Sequence, residues 1–265
     1  MKHQILSQLS PEYPWKEQFH YFPTIDSTND EAKRLAIAGA PHGTVILASH
    51  QTNGHGRMGR SFHSPSRQGI YLSILLRPNC APAELMHLTC AAAVAMCDAC
   101  EAATGLRPGI KWTNDLVHGK KKLGGILTVM GLTAAGRVDH CIIGIGINCN
   151  QSAQDFPPEL RDMAGSLSMI TGKEPDPSRV AAAMMDALYK MDARLLTEKE
   201  AILTQYRRDC ITLGKEIRLV RGTEARLGTA LDIDAEGALV VRYTSGETEI
   251  VNSGEVSIRG MYGYL

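Results

Sequence analysis

Apolar residues along the chain arrive in short runs that switch between two periods. Residues 19–25 (FHYFPTI), 43–49 (GTVILAS) and 70–76 (IYLSILL) are compact runs rich in β-branched and aromatic side chains, which predicts strands. Between the first two, Asp26-Ser27-Thr28-Asn29 reads as a turn and helix cap. Asp30 and Glu31 follow where the helix dipole favours acids, and Gly39 ends the helix. Pro82 opens an alanine-rich stretch that runs to about Gly105. In it Leu85, Leu88, Ala92, Ala95 and Ala99 recur at three- and four-residue steps, the stripe of a buried helix. Residues 110–112, 123–130 and 138–147 predict three further strands, with turns at 118–121 (HGKK) and 133–137 (TAAGR). Residues 151–177 carry Pro157, Pro158, Pro175 and Pro177 and show no period, whereas residues 178–208 read as one helix packed across the sheet. From Thr212 the texture becomes five short alternating runs: EIRLV, ARLGTALDI, ALVVRY, TEIV and VSIR. That change places a boundary near Ile211, with a large domain over residues 1–211 and a small β-barrel over 212–265.

Composition narrows the classes. The 265 residues carry 28 basic and 28 acidic side chains, so no global charge draws the molecule to nucleic acid or an anionic membrane. No apolar run approaches the length of a bilayer span, and the first ten residues lack a signal-peptide core. The cysteines number seven, an odd count, and sit in apolar stretches, which suits reduced thiols in a cytoplasm. Cys97 and Cys100 form Cys-x-x-Cys on the alanine-rich helix, with no second ligand pair for zinc.

Candidate chemistry sits in three places. Residues 50–69 are too polar for a core and too long for a simple hairpin, and so read as a functional loop. The loop contains Gln51-Thr52-Asn53-Gly54-His55-Gly56-Arg57-Met58-Gly59-Arg60. Glycines so spaced let a backbone approach a ligand and aim N–H groups at anionic oxygens, while Arg57 and Arg60 add forks for carboxylate or phosphate. The spacing is neither a Walker A loop nor a dinucleotide fingerprint, which counts against ordinary NTPases and dehydrogenases. A second constellation is Lys111-Trp112-Thr113-Asn114-Asp115, followed by Lys120-Lys121-Lys122-Leu123-Gly124-Gly125. Lys122 beside a Gly–Gly pair suits an anion, and Asp115 suits a magnesium ion or a proton. Lys120 and Lys121 read as solvated hairpin lysines. Third, Gly144-Ile145-Gly146-Ile147-Asn148 ends a strand, its glycines marking close approach by a ligand or backbone and Asn148 suited to a base edge.

Ser27-Thr28-Asn29, the Gly54–Arg60 loop, KWTND, KKLGGIL and GIGIN stand in the order and rough spacing of biotin–protein ligases, and the chain resembles that family over about residues 19–150. The resemblance implies an α+β fold of the class II aminoacyl-tRNA synthetase-like type: a mixed β-sheet flanked by helices, with a C-terminal SH3-like β-barrel. It implies a biotin pocket of Ser27, Thr28, Asn29, Gln51, Gly54, His55, Gly56, Arg57, Lys122 and Gly125. ATP would meet Arg57, Arg60, Phe62, Lys111, Trp112, Asn114, Asp115 and Asn148. Lys122, Arg57 and Asp115 would be catalytic, Lys122 bridging the biotin carboxylate and the reacting phosphate, and Asp115 is the candidate Mg2+ ligand. The implied substrates are ATP and biotin, and the implied partner is the biotin carrier domain of a biotin-dependent carboxylase, met by a monomer or homodimer. Three positions depart from the usual pattern: His55 replaces an arginine, Phe62 a tryptophan and Thr113 a proline. A lipoate or octanoate ligase shares this logic, and a non-enzymatic biotin-binding protein is the alternative outside enzymes. Only about 18 residues precede the first strand of the large domain, too few for a helix-turn-helix, so direct DNA binding is not expected.

Overall fold

The computed structural model describes residues 1–65, 68–252 and 257–260. A short helix α1 (Lys2–Leu6) precedes β1 (Phe19–Phe22), α2 (Thr28–Ile37), β2 (Thr44–Ala48) and β3 (Gly69–Leu76). Then come α3 (Leu88–Thr104), β4 (Gly109–Lys111), β5 (Asp115–His118), β6 (Lys121–Leu132) and β7 (Val138–Asn148). Helices α4 (Leu167–Thr171), α5 (Pro177–Arg194) and α6 (Lys199–Asp209) lead to β8 (Glu216–Arg221), β9 (Glu224–Ile233), β10 (Leu239–Tyr243), β11 (Thr248–Val251) and β12 (Ser257–Gly260).

Strands β1 to β7 form one mixed sheet in the order β1-β2-β3-β7-β6-β5-β4, in which only the β1–β2 pair is parallel. The second sheet is antiparallel, ordered β11-β10-β9-β8-β12. The first sheet is covered on both faces, which is why every residue of β3 is buried and the strand reads as a continuous apolar run. On one face Val45, Leu47, Ile74, Ile143 and Ile145 pack with α3, α5 and α6 in the main core. On the other, α2 sets Ala32 and Ala36 against Ile46, Leu75 and Ile142. Beyond Ile142 the next β7 residues on the α2 face are Gly144 and Gly146, which let Asn29 of α2 and Phe62 of the loop lie close against the strand. The cavity described below opens beside them.

Four expectations need correction. Residues 178–208 are two helices, α5 and α6, separated at Leu195–Glu198. No Gly or Pro marks the break; the Leu195 carbonyl, freed where α5 ends, accepts a hydrogen bond from His87 Nε2 at 3.0 Å. The first strand stops at Phe22, and Ile25 makes only an isolated bridge to Gln51. Asp115 to His118 form a strand of their own, β5. The stretch Pro82–Thr104 does reach bilayer-crossing length and apolarity, but 72% of its most apolar window is buried inside the protein. Its apolar character belongs to the core. In the loop at 50–69, Ser66 and Arg67 lie outside the described residues, as does Val256 of the VSIR run.

Candidate active site

The polar end of the site grows from the start of α2. Ser27 is the N-cap, its hydroxyl accepting from the Asp30 N–H at 3.4 Å, which buries Thr28 and Asn29 in the first turn. The Thr28 N–H donates to Gln51 Oε1 at 2.8 Å, its hydroxyl lies 3.0 Å from the same oxygen, and Gln51 Nε2 donates to Ser64 Oγ at 3.1 Å. Ser73 of β3, wholly buried, places Oγ 2.8 Å from Thr28 Oγ1 and 2.6 Å from Asn29 Oδ1. Asn29 lies flat against Gly144, where a Cβ would stand 2.0 Å from its Oδ1.

The loop closes on itself beside this cluster. Phe62 N–H donates to Gly54 O at 2.8 Å and Gly56 N–H to Arg60 O at 2.6 Å, around a 3-10 turn Arg57–Gly59. Met58 sits at its tip with φ 56° and is 58% exposed. The Gly56 N–H is therefore turned inward rather than towards a ligand anion. Gly54 serves packing: a Cβ there would lie 2.7 Å from Phe62 O and Ser64 Oγ. His55 Nε2 pairs with Asp30 Oδ2 at 2.7 Å, tying the loop to α2. Burial pushes the Asp30 carboxyl up, but the hydrogen bonds from Lys33 and His55 outweigh it and hold the group below its usual range. The Phe62 ring covers Gly146 and meets Tyr71 edge-on at 6.4 Å.

The charged end lies on β5 and β6. Lys122 Nζ donates to Asp115 Oδ1 at 2.6 Å, and Gly125 leaves both uncovered, since a Cβ there would come within 3.4 Å of Nζ. Arg57 reaches from the loop to Asn114 Oδ1 at 2.9 Å, and Asn114 is braced by two hydrogen bonds with the Ile126 backbone. Burial lowers the Arg57 pKa, with Asp115 pulling the other way, and the guanidinium stays charged. Lys111 is buried at the end of β4. The Trp112–Thr113 peptide is cis. Trp112 Nε1 donates to Gly237 O at 3.1 Å and its N–H to Thr212 Oγ1 at 2.9 Å, joining the site to the C-terminal part of the chain.

These groups face one cavity of about 790 Å³. It brings together every residue that the resemblance implies for biotin or ATP except Gly54. Asn148 also faces it, but its Nδ2 is committed to Gly165 O at 2.9 Å and its Oδ1 accepts from Gln151 Nε2 at 3.3 Å. Its amide braces the return of the chain against β6, which leaves a base edge little to pair with.

Residues 21–148 match the Biotin/lipoate A/B protein ligase family, and residues 212–259 match the Biotin protein ligase C terminal domain. The bifunctional ligase/repressor BirA of Bacillus spizizenii is 38% identical over 234 residues, covering 88% of this chain and 72% of that protein. The biotin–[acetyl-CoA-carboxylase] ligase of Mycobacterium tuberculosis is 30% identical over 239 residues, covering 87% and 85%. The chain belongs to the biotin protein ligase family. Among solved structures, the Aquifex aeolicus biotin protein ligase in complex with biotin and ATP superimposes with TM-score 0.77 at 29% identity, covering 91% of this chain and 98% of that one.

In this biotin protein ligase the cavity has a wall that the sequence reading missed. Phe156, Leu160 and Met163 line it from the aperiodic stretch after β7. They are held there because Lys122 N–H donates to Met163 O at 2.6 Å and Gly165 N–H to Lys122 O at 2.9 Å. Lys120, read as a solvated hairpin residue, also reaches the rim. Among the described residues no three His, Cys, Asp or Glu side chains gather as a metal site. Asp115 beside the cavity suits a magnesium ion held mainly by nucleotide phosphates, with few protein ligands. All seven cysteines are free and buried, and burial pushes the Cys100 thiol up to about 12.

Proposed function

We propose that this chain condenses biotin with ATP to biotinyl-5'-AMP and then passes biotin to a lysine on the carrier domain of a biotin-dependent carboxylase in the cytoplasm. One observation carries this reading: a single cavity has a hydrogen-bonding end and a charged end on the same sheet face. Asn29 covers Gly144, two residues along β7 from Gly146, and Gly146 pairs with Gly125 beside Lys122. Two residues of strand advance roughly 7 Å and a neighbouring strand adds about 5 Å, a gap suited to the valeryl chain between a ureido head and its carboxylate.

At the charged end two anions must meet, the biotin carboxylate and the α-phosphate of ATP. Lys122 neutralises both in a partly water-excluded site, and Arg57 adds a second cation from the loop. A bound Mg2+, which Asp115 would help to hold, would supply further charge neutralisation. The carboxylate oxygen bonds to the α-phosphorus and pyrophosphate leaves. When Lys122 turns to the incoming anions it releases Asp115 Oδ1, which then takes a proton from the carrier amine as that amine attacks the acyl carbon and AMP departs.

Arg57 closes the loop over the mixed anhydride and keeps water and stray amines away. Arg57→Gly is therefore expected to release adenylate, seen as biotin on proteins that are not carriers; labelling confined to the carrier would count against that role. A lipoate ligase would need no hydrogen-bonding head site. Asn29 Nδ2, which has no acceptor among the described residues, would face a dithiolane unpaired, so biotin is expected to be used at least about a thousandfold more efficiently than lipoate. The reading is tested with the purified chain, ATP, Mg2+ and an isolated biotin carrier domain. Biotin should appear on one carrier lysine and be absent when that lysine is arginine; lipoylation of the same lysine would overturn the substrate.

A further inference from the structure

Ser73 sits in a run of apolar residues at the middle of the sheet and is 0% exposed. A hydroxyl buried this deeply is costly unless it is hydrogen-bonded, and its two neighbours are the pocket residues Thr28 and Asn29. It has one proton for both. The contact with Asn29 Oδ1, at 2.6 Å, is shorter than the 2.8 Å contact with Thr28 Oγ1, and the Thr28 hydroxyl can itself donate towards Ser73. With that proton on Asn29 and the Thr28 hydroxyl turned to Ser73, Asn29 Oδ1 and Ser73 Oγ each accept one hydrogen bond, and Gln51 Oε1 is served by the Thr28 N–H at 2.8 Å. The Asn29 amide is also clamped from below, since it lies on the bare backbone of Gly144. Its Nδ2 has no acceptor among the described residues, and Asn29 faces the cavity.

We propose that Ser73 is a positioning residue that sets ligand choice: by donating to Asn29 Oδ1 it fixes which end of the amide faces the cavity, so that Nδ2 offers a donor to a carbonyl on the ligand head. The inference rests on the biotin reading and identifies the ligand carbonyl as that of the ureido ring. Without the Ser73 proton, Asn29 is free to turn its amide over and present an acceptor instead. A ligand with a donor in place of the ureido carbonyl, such as 2-iminobiotin, is rejected by the fixed amide and tolerated by the free one. Lys122 and Asp115 lie at the other end of the cavity, so turnover of bound substrate does not depend on Ser73.

The test is calorimetric binding of biotin, desthiobiotin and 2-iminobiotin to the full chain and to Ser73→Ala, with steady-state kinetics for each. In Ser73→Ala the KM for biotin should rise by about tenfold, kcat should stay within about threefold, and the preference for biotin over 2-iminobiotin should shrink by at least about tenfold. Desthiobiotin, which keeps the ureido ring, should follow biotin. An unchanged preference, or a fall in kcat at constant KM, would overturn the role of Ser73. If alanine lowers the folded fraction, Ser73→Cys fills the site with a slightly larger atom, replaces a strong donor with a weak one, and is read by the same ratio. Failure of the unaltered chain to bind biotin at all would overturn the biotin reading, and this role with it.

Discussion

Lys122→Ala should lower biotinyl-adenylate formation by at least about a thousandfold while the protein stays folded. The lysine opens β6 and its ammonium is held 2.6 Å from Asp115, with Gly125 leaving the pair open to the cavity. Losing it removes the one charge that faces both reacting anions, and a single misplaced donor at such a site already costs a hundredfold or more. Stability should change little, because the pair is partly exposed and its ion-pair contribution is screened. Lys122→Arg should recover little activity, since a planar fork does not replace a point charge between two oxyanions. Pyrophosphate release and a melting curve measure the two halves of this expectation. Adenylate formation near the unaltered rate would remove Lys122 from the chemistry.

Gly144→Ala should raise the KM for biotin by about one to two orders of magnitude with little effect on kcat. A Cβ at this position would stand 2.0 Å from Asn29 Oδ1 and 2.6 Å from its Cγ, well inside any real contact. Asn29 is short and its backbone belongs to the first turn of α2, so the amide must leave the sheet and break its bond to Ser73. The polar end of the cavity then loses its arrangement while Lys122 keeps its own. Binding of biotin measured by calorimetry checks this. Unaltered affinity would show that Asn29 does not take part in recognition.

Where local chemistry decides structure, the sequence could be read directly. The β-branched runs of β2 and β3 are strands because both sheet faces are covered, and Ser27 caps α2 because its side chain reaches the Asp30 N–H. The glycines of GIGIN mark close approach, and the structure shows Asn29 and Phe62 occupying the space their side chains would take. What could not be read depends on partners far away in sequence. The break between α5 and α6 is stabilised by His87, 108 residues from the Leu195 carbonyl it serves. The cavity wall at Phe156, Leu160 and Met163 has no period, because backbone bonds to Lys122 and a single 3-10 turn at Pro158–Leu160 place it. Ser73 was hidden by its setting: one hydroxyl in an apolar run has no pattern until Thr28 and Asn29 are folded against it. His55 likewise looked like a missing arginine, while its imidazole pairs with Asp30.

The most direct test is to incubate the purified chain with ATP, Mg2+ and either biotin or lipoate, and to identify the acyl-adenylate by mass spectrometry alongside pyrophosphate release. Biotinyl-adenylate with no lipoyl product is the expected result. Lipoyl-adenylate would keep the fold and the role of Lys122 but contradict the polar head site, and neither product would leave a protein that binds biotin without activating it.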